Sequence, residues 1–390
     1  MKNPFRPGNG IEPPYLAGRT PILKEFEESL EEFEGGLPRN MIIFGLRGTG
    51  KIVIMKHFGP IAKNKGWLAV SREFNRRFCD ETQFAEAIVN DVISKVSEIS
   101  LTKRLQKQGK RFFDLAKPEE IGVKGITYKP FYKEQKELLD DYLKNMLIDN
   151  WNAIKKSKAK GLVFLYDEFH TVKDGSSTEN YPLASLLGAL SHAQREGCRY
   201  YLAVSGLPNL TTNLKDAKTY TERMFTYKEI SNLPEAEGEK AIRIPIKKLG
   251  YSFEEKLIKQ IVKETKGYPY FLQFYCYFLV KNRGSKRITL ADYESIRNKL
   301  LEELDISFYQ DRFQKATPGE QAILEAMARI SGEEVSPTEI LKILKIDKAM
   351  VFIYLKNLID KNLVYRSGRG KYSFTIPLFK EFLLRKGGVK

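Results

Sequence analysis

Apolar residues in this chain recur in two rhythms, and the alternation between them sets out its organisation. Met41 to Phe44 (MIIF) is a short unbroken apolar run, followed by a glycine-rich turn and then by helical spacing from Ile52 to about Phe58, where Gly59-Pro60 interrupts it. Similar short runs predict strands at Trp67 to Ser71, Leu162 to Tyr166, Tyr200 to Ser205 and Phe225 to Ile230, with helical stretches such as Thr82 to Val96 between them. Strands alternating with helices imply an α/β fold with a parallel sheet covered on both faces. Before the sheet, Asn3 to Gly18 lacks periodicity and is rich in Pro and Gly, so it reads as an extended arm leading into a helix Pro21 to Phe33 capped by Thr20. After it, Ser252 to Leu304 carries three consecutive helical patterns, a small helical subdomain ending near Lys315. From Thr317 come two helical patterns, a longer helix Asp347 to Asn362, a strand LVYRS, a turn at Gly368 to Gly370, a strand KYSFT and a last helix, the order of a winged helix-turn-helix. The expected divisions are an arm at 1–20, a sheet domain at 21–248 with an insertion at about 100–130, a helical lid at 249–315 and the winged tail at 316–390.

Composition narrows this outline. The 390 residues suit two or three packed domains, and 42% hydrophobic content suffices for ordinary cores. The first twenty residues hold no apolar run of signal-peptide length, and nowhere do about eighteen uncharged apolar residues occur together, which predicts a soluble, cytoplasmic protein with no membrane span. Cys79, Cys198 and Cys276 are far apart with no CxxC spacing, and only three histidines accompany them, so neither a disulfide framework nor a structural zinc site is expected. Each cysteine reads as a small buried apolar side chain. Sixty-five Lys and Arg against 49 Asp and Glu give a formal charge of +16, which makes nucleic acid a plausible partner or else marks a lysine-rich solvated surface. Lys103 to Lys129 alone carries eight basic and three acidic residues, the composition of a polyanion contact or of a surface loop.

The glycine-rich turn carries the clearest chemistry. In Gly45-Leu46-Arg47-Gly48-Thr49-Gly50-Lys51 the glycines permit close approach of backbone to ligand, so successive N–H groups can face phosphate oxygens. The positive end of the following helix adds to the same spot, and Lys51 can reach the β- and γ-phosphates. The usual pattern next places Ser or Thr, whose hydroxyl ligates Mg²⁺; here Ile52 offers no oxygen, which leaves phosphate binding intact and puts metal placement and hydrolysis in question.

A second signal is independent of the first. The run Leu162 to Tyr166 ends in Asp167-Glu168, so both carboxylates emerge at the carboxyl end of a buried strand, beside the phosphate loop in such folds. Asp167 would hold Mg²⁺, directly or through water, and Glu168 would orient or deprotonate an attacking water. Ser205 at the end of the next strand, or Asn209 four residues on, could position that water, although either also suits a loop cap. Arg223, just before the last strand, could meet the γ-phosphate of its own or a neighbouring subunit or pair with Glu222.

Taken in order, GLRGTGK, FLYDE, AVSGLPN, YTERMF and GYPYFLQ resemble the AAA+ and STAND P-loop ATPases, particularly archaeal and bacterial proteins near the Orc/Cdc6 initiator branch. The resemblance implies a P-loop NTPase sheet domain binding ATP or ADP with Mg²⁺, a helical lid and a winged-helix tail, in a protein able to form homo-oligomers. It nominates Tyr15 and Leu16, in the lead-in PPYLAGR, as base contacts, and Tyr268 and Pro269 as neighbours of base or ribose. Gly267-Tyr-Pro269 stands where many AAA+ lids offer an arginine, and looks more like STAND proteins, in which ATP commonly acts as a switch with slow turnover.

The tail separates two functional expectations. In the first, its third helix enters DNA, with Lys348 and Lys356 on the helix and Arg366, Arg369 and Lys371 on the wing contacting phosphates; Lys361 is available as well. In the second, the tail is a protein-interaction module of a signalling or assembly switch, a reading favoured by the apolar run Met350 to Leu355.

Overall fold

A computed structural model describes residues 3–107, 122–123, 126–127, 138–175, 179–248, 250–282 and 285–387. Five strands, β1 (Asn40–Phe44), β2 (Leu68–Glu73), β3 (Leu162–Asp167), β4 (Tyr200–Gly206) and β5 (Phe225–Glu229), form one parallel sheet in the order β2-β3-β4-β1-β5. Strand β3 shows why its sequence is apolar throughout. Leu162, Phe164 and Tyr166 enter the core on one face of the sheet, whereas Val163 and Leu165 enter the core on the other. With a period of two and helices on both faces, no position faces water.

Helix α1 (Thr20–Glu34) and helix α2 (Lys51–Asn64) cover one of these faces, where the Phe26 and Phe58 rings stack at 3.8 Å. Helix α2 differs from expectation in running straight through Gly59-Pro60. Phe58 and Ala62, on either side of the proline, are fully buried, and the packing they gain outweighs the backbone bond that Pro60 cannot make. Thr20 is likewise the first residue inside α1, and the capping position belongs to Arg19, whose carbonyl accepts from the N–H of Leu23. Helix Glu81–Lys107 extends beyond the predicted Val96 into the basic insertion, and residues 108–121, 124–125 and 128–130 of that insertion, with 131–137 after it, lie outside the described residues.

After the sheet come helices Glu235–Lys248, Glu255–Glu264, Pro269–Asn282 and Leu290–Leu304. The tail consists of helices Pro318–Arg329, Pro337–Ile343 and Lys348–Asp360, an antiparallel pair Val364–Gly368 and Lys371–Phe374, and helix Phe379–Lys386, the order of a winged helix. One hydrophobic core joins lid and tail, with Phe271 and Leu279 from the lid and Leu355 and Phe382 from the tail in the same cluster. Among the described residues no helix is long and apolar enough to cross a membrane.

Candidate functional site

The glycine loop leaves β1 and enters α2 at the carboxyl edge of the sheet. At Gly45 any Cβ would lie 2.2 Å from the carbonyl oxygen of Ile230, so only glycine lets the loop pass. Gly48 and Gly50 both have positive φ, and Gly50 caps α2 from the left-handed region. The Lys51 ammonium donates to the carbonyls of Gly45 and Leu46 at 2.8 Å each. Burial pushes its pKa down to about 8, against the upward pull of Glu168 and Asp167, and Arg47 lowers it further. Thr49 donates to the carbonyl of Leu46, which tightens the turn. Ile52 faces the arm: its Cγ2 lies 3.0 Å from where a Cβ on Gly10 would sit, so this position packs the arm on the loop.

Across the cleft, the hydroxyl of Ser205 donates to Asp167 Oδ1, which also accepts from the backbone N–H of Glu168 at 2.9 Å. The two strand ends are thereby tied together. Glu168 sits in the left-handed region at φ 52°, and its pKa is raised chiefly by burial, with Arg47 opposing and Asp167 adding to the shift. Two residues on, His170 is 1% exposed, and neither ring nitrogen has a hydrogen-bond partner among the described residues. Its Nε2 lies 3.8 Å from Glu168 Oε2, and burial followed by the charges of Arg47 and Lys51 pushes its pKa down to about 3. Asn209 opens the helix Asn209–Ala217 with its side-chain oxygen buried and unpartnered among the described residues.

The arm and the lid complete a cleft of about 440 Å³. Tyr15, Leu16 and Pro269 line it, together with Gly48 to Ile52 and Glu168. The arm is fastened at both ends: the Asn3 amide donates to the Tyr277 carbonyl at 2.9 Å, Arg6 N–H donates to Gln273 at 3.2 Å, and Lys56 donates to the Gly10 carbonyl at 2.6 Å. Five cations line the cleft, Arg6, Arg19, Arg47, Lys51 and Arg312, against the single carboxylate of Glu168. Arg19 is nearly buried and donates to the carbonyls of Thr49 at 3.0 Å and Ser231 at 2.7 Å, bracing the glycine loop from below.

Three expectations are corrected by this geometry. Tyr268 does not face the cleft beside Pro269; it is buried beneath the glycine loop, where its hydroxyl donates to the carbonyl of Arg47. Arg223 is exposed and precedes β5, whose first residue is in register with Asn40 at the start of β1. It therefore lies at the opposite edge of the sheet from the loop, roughly 16 Å away along a five-residue strand, and cannot serve the cleft of its own chain. Nor does it pair with Glu222, which bonds Lys215 at 2.9 Å. Lys361 is not free, because its ammonium lies 2.5 Å from the buried Glu320 carboxylate. Of the other tail cations, Lys348, Lys356, Arg366 and Arg369 are exposed and Lys371 is half-buried, with the Arg366 guanidinium 5.9 Å from the Tyr372 ring centroid.

Comparison with solved structures gives the same architecture. The Walker-type ATPase paby2304 of Pyrococcus abyssi superposes with a TM-score of 0.58 at 17% identity, covering 94% of this chain and 96% of that one. The chain has a Walker-type ATPase fold. The Aeropyrum pernix ORC2 protein, solved in ADPNP–ADP complexes, matches with a TM-score of 0.50 at 14% identity, over 98% of each chain, so the similarity extends to the archaeal Orc/Cdc6 group. A family described as a domain of unknown function (DUF8462) matches residues 306–383. No curated protein matches the chain. Arg6, Arg19 and Arg312 in the cleft and His170 beside it are among the residues to which no motif of the sequence assigns a role in the site.

Proposed function

We propose that this protein binds ATP in the cleft between glycine loop, arm and lid, hydrolyses it slowly, and couples nucleotide state to contacts made by its winged tail. The observation that carries the reading is the charge of the cleft: five cations and a helix amino end converge on a space lined by one carboxylate, Glu168, with Asp167 adjoining it, which suits a polyphosphate. Tyr15, Leu16 and Pro269 supply the apolar walls against which a purine base packs. The residues also fit Mg²⁺, which takes one or two carboxylates and completes its shell with water and phosphate; Asp167, held by Ser205, is that carboxylate. The ion would neutralise charge developing on the phosphates. Ile52 withholds a second ligand, hence the slow turnover, and Glu168 orients the attacking water.

Exposed Lys348, Lys356, Arg366 and Arg369 support DNA backbone contact by the tail. A second reading has its own observation: Met350, Phe352 and Ile353 on the same helix are exposed, Ile353 by 50%, which favours a protein partner or a second copy and an assembly switch of the STAND kind. The testing experiment is an ATP and ADP titration of the full chain beside Lys51→Ala, followed by duplex binding across a salt series with and without ATP. Wild-type protein that binds no ATP would sink the first reading. Duplex affinity that does not fall with salt would remove DNA from it.

A further inference from the structure

Helix Leu290–Leu304 does not stop at the end of the lid. It continues through a π-helical turn, Asp305–Gln310, into Asp311–Gln314, and the segment matched as a domain of unknown function begins within that turn, at residue 306. A π turn is a costly irregularity that shifts the side chains after it around the helix. Here Ser307, Phe308 and Arg312 line the cleft. Phe308 stacks on Tyr270 with centroids 4.9 Å apart, and the Arg312 guanidinium lies 4.1 Å over the Phe308 ring while donating to the Phe308 carbonyl. The arginine is therefore held in place before any ligand arrives.

Its charge has no carboxylate within salt-bridge reach among the described residues, and the same is true of Arg47. Burial and then repulsion from Arg47 both act against the Arg312 cation. Phe308 stacks on Tyr270, whose Cβ lies 3.1 Å from where a Cβ on Gly48 would sit, so the guanidinium over the Phe308 ring stands on the glycine-loop side of the cleft. Cations converging in this way are stabilised by an anion that several of them can share.

We propose that Arg312 binds the terminal phosphate of a nucleoside triphosphate, so that the segment leading into the tail itself distinguishes triphosphate from diphosphate. The signal has a route onward, since Tyr309, next to Phe308, stacks on Phe382 of the last tail helix at 5.0 Å. The proposal rests on the nucleotide reading above. Its test is to measure dissociation constants for ATP and for ADP with the full chain, Arg312→Gln and Arg312→Lys. Arg312→Gln is expected to weaken ATP about tenfold, the loss of one charge-assisted hydrogen bond, while ADP changes less than about twofold. Arg312→Lys, which keeps the charge but not the fork, falls between. An unchanged ratio of ATP to ADP affinity in Arg312→Gln, or equal loss of both, overturns the proposal, the second outcome meaning that Arg312 only packs Phe308. If Arg312→Gln does not fold, an unchanged ratio in Arg312→Lys overturns it equally. Wild-type protein that binds neither nucleotide overturns both readings; binding with an unchanged ratio overturns only this one.

Discussion

The Tyr268 hydroxyl donates a hydrogen bond to the carbonyl of Arg47, so the lid grips the glycine loop through the loop's own backbone. The fit is close at the next residue as well: a Cβ at Gly48 would come within 3.2 Å of the Tyr268 ring and 3.1 Å of Tyr270. Any change in the loop is thus felt by the lid. Tyr268→Phe keeps the ring and strands the carbonyl, and is expected to cost about 1–2 kcal/mol in urea unfolding. An unfolding curve superposing on wild type would mean that the bond contributes nothing.

Ile52 and Glu168 make a paired prediction. If Glu168 orients the attacking water and Ile52 limits turnover by withholding a metal ligand, Ile52→Thr raises phosphate release, and Glu168→Gln abolishes it in both backgrounds. Because Ile52 also packs the arm at Gly10, Ile52→Thr is expected to loosen ATP binding slightly as it speeds hydrolysis. Slow phosphate release that persists in Glu168→Gln would dismiss Glu168 as the catalytic group.

Lys51 titrates within reach of ordinary buffers. With its pKa near 8, a growing fraction is neutral as pH rises through that value, whereas a polyphosphate binds the charged form. ATP affinity should therefore fall above about pH 8, and binding at pH 8 should take up about half a proton. Calorimetry in two buffers of different ionisation heat measures this directly, and the absence of proton uptake would contradict it.

The strand rhythm made the sheet legible, because two-sided burial leaves an unbroken apolar run such as Leu162 to Tyr166. The glycine loop and Asp167-Glu168 were legible because their chemistry is local in sequence. Tyr268 misled for the converse reason: its neighbour Pro269 does line the cleft, but consecutive residues at the start of a helix point in different directions. Arg312 carries no local signal at all, since only the path of the lid helix and its π turn brings it opposite a loop some 260 residues earlier. Arg19 did carry one, the end of PPYLAGR, yet its task is bracing Thr49 and Ser231. That requires the folded loop.

His170 offers a test that needs no ligand. It is buried beside Gly206, where a Cβ would come within 3.0 Å of its ring, and its two nitrogens find no partner among the described residues. Its folded pKa near 3 lies below the ordinary histidine value of about 6.5, so the unfolded chain binds a proton that the folded one refuses. The stability this represents is complete above pH 6.5 and is lost as pH falls toward 3, at about 1.4 kcal/mol per pH unit. His170→Gln removes the titration while keeping a polar side chain of similar length. Between pH 6.5 and 4 the unfolding free energy of wild type should fall more steeply than that of His170→Gln by that amount. Parallel curves for the two proteins would mean that His170 is protonated, or reached by water, in the folded state.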